Sequence, residues 1–532
     1  MIRRAFLTAS ASATAFLTGP LFVPSRTPRS SRSSRTSRSG RPPMHGTPHL
    51  ASARDQTDSL RQGRISSVEL VELLLKHHAA VNPDINAVVT LDAERARAEA
   101  VRADRHLART GRPLGPLHGL PITVKDSLET VRMRTTSGSP TLDQHIPARD
   151  ADAVARLREA GAVIMGKTNT PAYCADIQTS NTVFGTTRNP FSPTRTAGGS
   201  SGGAAAAVSA GLSSLEVGSD LAGSLRLPAH YCGVYALRPS HGLISSRGHI
   251  PRPPGWLTSS DLMTLGPLAR SAEDLELLLE VLAGPAPTDA PAWRLELPRP
   301  RFARLRDHRV GIWADDPGCR VDTATRALLE RVGKLIRTAG AQVDDVSRPA
   351  DLAESDRAFQ TLMFATSTAS ASDADFHGEV ERAGKLAPDD ASPYAFYLRS
   401  RTLHHRDWLI ANEKREELRG RWADYFSRHD ILITPAAPTA AVADQSSVPV
   451  PDRFITVDGE RRDYWSQTTW ANLTGLAGLP TAIVPAGTTR EGLPLGVQIV
   501  GPHLADRTVI AFAARLAELL PPPVVAPARG RP

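Results

Sequence analysis

Apolar and polar positions along this 532-residue chain alternate between a helical period and the short continuous apolar runs of buried strands. From Ile65 onward, Val68, Leu70, Val71, Leu74 and Leu75 form an apolar stripe at helical spacing. Ser66 and Glu69 stand at capping-box spacing, and Pro83 is the expected stop. The stretch DAERARAEAVRADRHLART predicts a second amphipathic helix closed by Gly111, and LPITVKD a short buried strand after a Gly/Pro turn. The alternation continues: ADAVARLREAGA reads as helix, VIMGK as strand, the alanine tract Ala204 to Ala210 as helix and LSSLEVGSD as strand. Further strands are expected in HRVGIWAD, AQVDDV, DILITP, TAIVPAG and LGVQIVG, with helices over Thr323 to Thr338 and Ala505 to Leu520. This pattern predicts an α/β fold, a mixed β-sheet core surrounded by α-helices. No period of roughly 20–50 residues repeats, which excludes a solenoid. Pro285 to Arg306 reads as a surface connection and Leu352 to Trp422 as a helix-rich cap. Strand patterns resume after it, so residues 44–532 are drawn as a single domain.

Composition sharpens the picture at the N-terminus. The sequence pI near 9.7 and net charge of +8 raise the question of a nucleic-acid partner. Of the 63 Lys and Arg residues, however, eight are arginines within the first 43 positions, and the remaining 55 balance 55 acidic residues. The neutral body removes the main support for nucleic-acid binding. The opening MIRRAFLTASASATAFLTGPLFVP has paired arginines and a moderately apolar run, followed by a Ser/Arg/Pro-rich tract. It resembles a twin-arginine export signal followed by a disordered linker over residues 1–43, and the apolar run is too interrupted for a stable membrane anchor. The alternative is translation from Met44, which would leave the protein in the cytoplasm.

Only Cys174, Cys232 and Cys319 are present, an odd number without paired spacing, so neither a disulfide framework nor a zinc site is indicated. The adjacent pairs His77-His78 and His404-His405 lack metal-motif spacing.

Chemistry concentrates in three segments: GLPITVKD with Lys125, GGSSGG with Ser200 and Ser201, and GSDLAGSLRLP with Ser224. Glycine-serine loops are mostly turns, and a phosphate cradle would need a Gly-Lys-Ser/Thr ending that is missing. A serine hydroxyl attacks a carbonyl only if a base takes its proton and N–H donors hold the developing oxyanion. A lysine in an apolar strand can supply that base, because burial disfavours ammonium. The bland counterpart is a Lys125 paired with its neighbour Asp126.

Taken together, these segments resemble the amidase signature family, serine amidohydrolases with a Ser-cis-Ser-Lys triad on a mixed sheet surrounded by helices. The resemblance runs from about Ser66 to Ile510 and is densest from Gly119 to Pro239. It includes GAVIMGKTNTPAY, NTVFGTTRNPFSPTRTAGGSSGG, CGVYALRPSHGLIS, LGPLARSAEDLELLLEVLAG, NLTGLAGLPTAIVPAG and GLPLGVQIVG. It implies that Lys125 is the base, Ser200 a bridging serine with a cis peptide, and Ser224 the acylated nucleophile. Gly199 and Gly202 ease the geometry around Ser200. The oxyanion donors are expected from the backbone N–H groups of Leu221, Ala222, Gly223 and Ser224. Ala222 stands where the family usually has a glycine and tolerates positive φ less readily. Ser201 is expected to support the loop, and Asp220 with Arg226 to brace it as an ion pair.

The resemblance implies hydrolysis of a carboxylic amide, with some ester cleavage, on a small-molecule or peptide amide substrate. No metal or organic cofactor is required, and a homodimer is compatible. Within the family the rival is the amidase subunit of an aminoacyl-tRNA amidotransferase, against which the export-like segment and neutral body argue. From another class, the rival is a catalytically inactive binding protein, which has no evident need for Lys125, Ser200 and Ser224 together. Variable segments at Tyr173 to Thr179 and Leu352 to Trp422 are expected to shape the acyl pocket.

Overall fold

The computed structural model describes residues 47–523 and Ala526, so the export-like segment, the linker and Met44 lie outside the described residues. The first strands, β1 (Val88–Leu91), β2 (Pro121–Lys125) and β3 (Val163–Thr168), form a small sheet in the order β1-β3-β2. In it β3 runs antiparallel to β1 and parallel to β2. A short hairpin follows, β4 (Ser180–Asn181) with β5 (Gly185–Thr186). Next come β6 (Leu215–Asp220), β7 (Tyr235–Arg238), β8 (Thr264–Ala269), β9 (Arg309–Ile312), β10 (Gln342–Asp344) and β11 (Ile431–Pro435). The hairpin of β12 (Phe454–Val457) and β13 (Glu460–Asp463) precedes β14 (Thr481–Thr488) and β15 (Pro494–Val500).

Eight of these strands build the main mixed sheet, ordered β10-β9-β11-β15-β14-β7-β8-β6. Its β10, β9 and β11 are parallel and the rest of its pairings antiparallel. Along β14, Ala482, Val484 and Ala486 join the cluster that holds Val509 and Phe512. Ile483 joins instead the cluster of Ala204 to Val208, Ala229 and Cys232. Alternate residues thus serve opposite faces, each covered by helix, which is why the strand sequences read as continuous apolar runs.

The helical expectations hold at Ala93–Thr110, closed by Gly111 in the left-handed region, and at Thr323–Thr338. The capping box at Ser66 and Glu69 is present. Pro83, expected to stop that helix, lies inside it instead, since the helix runs through Ser67–Ile85. A proline in the final turn removes one hydrogen bond, and the true stop is Asn86 at φ 56°, whose N–H bonds back to Asn82. Strand β8 contains Pro267, a residue that argues against a strand. Its pairing with β7 ends at Leu268, so at Pro267 only β6 is a paired neighbour.

Residues 285–304 carry neither helix nor strand. The region from Leu352 forms four helices, Leu352–Ser367, Asp373–Gly384, Pro393–Arg401 and His405–Arg428. The first and last of them are docked on the body: Phe359, Leu362 and Leu418 share a cluster with Leu476 and Leu262, against which Leu221 and Ala222 also pack. The described residues form one compact unit.

Candidate active site

Strand β2 is buried along its whole length and ends on Lys125, so the side chain enters the protein interior with no exposure to solvent. Its Nζ lies within hydrogen-bond distance of Ser200 Oγ at 2.7 Å, Ser219 Oγ at 2.9 Å and Ser201 Oγ at 3.0 Å. The expected local partner Asp126 is engaged elsewhere, accepting from Thr136 Oγ1 at 2.6 Å and Thr136 N at 3.1 Å. Burial lowers the Lys125 pKa, while Cys174, Asp220 and Glu216 pull it back upward. A neutral amine offers two donors and a lone pair, and among three hydroxyls that lone pair can accept a serine proton.

The glycine tract brings Ser200 to this amine. Gly198 sits at φ +81°, and a Cβ on Gly199 would lie 2.7 Å from the backbone N of Gln178. Side chains at these positions would collide with backbone, so the tract can pass close to its neighbours only as glycine. The Gly199-Ser200 peptide is cis. Ser201 N–H donates to Ser224 C=O at 3.1 Å, tying the tract to the second serine loop.

That loop joins β6 to the helix Arg226–Cys232. Asp220, the last residue of β6, accepts from the N–H groups of Gly223 at 2.9 Å and Leu225 at 3.1 Å. The expected ion pair is present: Arg226 donates to Asp220 from Nη2 at 2.8 Å and Nε at 2.9 Å, with both side chains fully buried. Burial alone would raise the Asp220 pKa, but Arg226 and Arg238 hold the carboxyl well below the usual range.

Ser224 is 7% exposed, the most accessible of the serines around the lysine. Its hydroxyl makes no hydrogen bond among the described residues, so the lysine is linked to Ser200 while the step from Ser200 to Ser224 is open. Catalytic hydrogen bonds often tighten only when substrate binds. Of the four expected oxyanion donors, Gly223 N–H is spent on Asp220. Leu221, Ala222 and Ser224 keep N–H groups with no partner among the described residues. The alanine at 222 is accommodated because the positive φ, 92°, falls on Gly223.

Three side chains beside the lysine escaped the sequence reading. Ser219 completes its hydroxyl ring, Cys174 faces it, and Glu216 lies buried near the Thr123 and Thr168 hydroxyls, its pKa pushed up by burial to about 7. Ser219 sits one residue before Asp220 in LEVGSD, the signal that could have found it. Cys174 has no comparable signal, because its neighbours come from distant loops.

A buried lysine among serines, beside a loop with free N–H groups on this α/β fold, defines an enzyme that acts on amide C–N bonds. The chain belongs to the Amidase family, whose model matches residues 69–510. It is similar to a glutamyl-tRNA(Gln) amidotransferase subunit from Roseiflexus sp. (strain RS-1), with 32% identity over 490 residues that cover 87% of this chain and 95% of the relative. Among solved structures it is similar to a bacterial aryl acylamidase of the amidase signature family, with 25% identity and a TM-score of 0.74 over 89% of this chain and 97% of that one. It is also similar to 6-aminohexanoate cyclic dimer hydrolase complexed with substrate, with 27% identity and a TM-score of 0.72 over 89% and 98% of the two chains.

Proposed function

We propose that this protein hydrolyses a carboxylic amide through an acyl-enzyme on Ser224. The observation that carries the reading is the 2.7 Å contact from a fully buried Lys125 to Ser200, on a tract tied to the Ser224 loop. Neutral Lys125 accepts the Ser200 proton while Ser200 accepts that of Ser224, whose oxygen bonds to the amide carbon. The oxyanion is met by N–H groups of Leu221, Ala222 and Ser224. The same relay returns the proton to the departing nitrogen, which leaves as ammonia or amine as its C–N bond breaks. Water, deprotonated by the relay, then releases the acyl group as acid. Turnover of a panel of short aliphatic, aromatic and peptide amides tests this reading, and absence of any turnover or acyl-enzyme would refute it.

A second reading concerns the fate of the nitrogen. The amidotransferase relatives, one spanning 95% of its own length in the match, favour a chain that passes ammonia to partner subunits. This outweighs the neutral charge of the body, which bears on tRNA contact by this chain alone. Native co-purification decides between the two. Partner subunits that raise glutamine hydrolysis support the transfer reading, whereas an isolated chain fully active on simple amides supports stand-alone hydrolysis.

A further inference from the structure

Cys174 takes no part in the relay, yet its thiol lies against the base. Sγ approaches Thr170 Oγ1 at 3.4 Å, the Ile250 carbonyl at 3.7 Å and Ser137 Oγ at 3.9 Å. It also interacts with Lys125 and with the imidazole of His249. His249 is 4% exposed, its Nε2 has no hydrogen-bond partner among the described residues, and the Cys174 thiol lies beside its imidazole. Cys174 is partly exposed, whereas Cys232 and Cys319 are buried.

We propose that Cys174 is a modification site for small soft electrophiles, α-halo and α,β-unsaturated carbonyl compounds, and that its adduct closes the serine site by filling the space beside Lys125. The thiol proton moves to His249 Nε2 and the sulfur attacks carbon. With an α-halo carbonyl the S–C bond forms as the carbon–halogen bond breaks, halide leaves with the electron pair, and the proton passes to water. With an α,β-unsaturated carbonyl the S–C bond forms at the β-carbon and the α-carbon takes the proton. Burial alone would raise the Cys174 pKa, so proton transfer to the neighbouring imidazole is what supplies the attacking thiolate. Burial leaves His249 neutral and able to accept.

The closure half of the proposal rests on the amidase reading; the labelling half does not. The full-length protein is treated with iodoacetamide, the rate at each cysteine is followed by peptide mass spectrometry, and fluorophosphonate labelling of Ser224 is measured before and after. Cys174 is expected to react at least about tenfold faster than Cys232 or Cys319, as a partly exposed thiol beside a base should. Fluorophosphonate labelling is expected to fall in parallel in the wild type and to be unaffected by iodoacetamide in Cys174→Ser. Equal rates at the three cysteines overturn the modification site. A fully alkylated Cys174 with labelling intact, or loss of labelling in treated Cys174→Ser, overturns the closure. Failure of fluorophosphonate to label untreated protein refutes instead the Ser224 reading, and the alkylation rates still decide the site.

Discussion

Lys125 and Lys167 are both fully buried, and their surroundings separate their roles. Lys167 donates to Thr130 Oγ1 at 2.9 Å, Thr135 Oγ1 at 3.1 Å and the Leu128 carbonyl, holding a loop, and burial lowers its pKa to about 8. Lys125 instead meets three serines. Lys125→Ala is therefore expected to cut kcat/KM by about 10²–10⁴-fold, the usual scale for losing a general base, with the far-UV circular dichroism unchanged. Because burial disfavours its ammonium form, the acid limb of the pH–kcat/KM profile is expected below the ordinary lysine value of 10.5, activity rising with pH through that limb. A limb at the ordinary value would remove Lys125 as the base. Lys125, Ser200 and Ser224 were legible because each stands in its own compact motif. Ser219 went unread inside the Ser224 segment itself, and Cys174 and His249 were not legible, since their proximity depends on how separate loops fold back onto β2.

At the scale of elements, the β6-to-helix turn depends on one carboxylate that binds three backbone N–H groups and a guanidinium. Asp220→Asn leaves Arg226 and Arg238 without their buried counter-charge. The variant is expected to lose about 3–5 kcal/mol in urea unfolding, the cost of breaking a buried pair. The folded pKa of Asp220 is depressed, so its contribution is present above the unfolded value of about 3.9 and fades as pH falls toward the folded value. Acid unfolding followed by fluorescence should thus show the wild type losing its advantage over Asp220→Asn below pH about 4. In the glycine tract, a Cβ at Gly203 would sit 2.3 Å from Asn169 N. Gly203→Ala should cost about 1–3 kcal/mol through overpacking. Elements with clear periodicity, such as Thr323–Thr338, were legible from the sequence, whereas β8 was hidden by Pro267, whose acceptability depends on where pairing with β7 ends.

Across the whole molecule, the small sheet supplies the lysine, the main sheet the Ser224 loop, and the helices from Leu352 the apolar cluster behind Leu221 and Ala222. The order of strands in the main sheet was not legible, because a single sequence marks strands but not their neighbours. Phe359, fully buried in that cluster, links the Leu352–Ser367 helix to the loop of Leu221 and Ala222. Phe359→Ala is expected to lower stability by about 3–5 kcal/mol and to reduce kcat more than it raises KM, a split that steady-state kinetics reads. The central claim, that Ser224 is the residue acylated, is tested most directly by fluorophosphonate labelling of the full-length protein with the adduct located by peptide mass spectrometry. The account predicts a single adduct on Ser224 that is lost together with amide turnover in Ser224→Ala; an adduct on Ser200, or labelling and turnover that persist in Ser224→Ala, would contradict it.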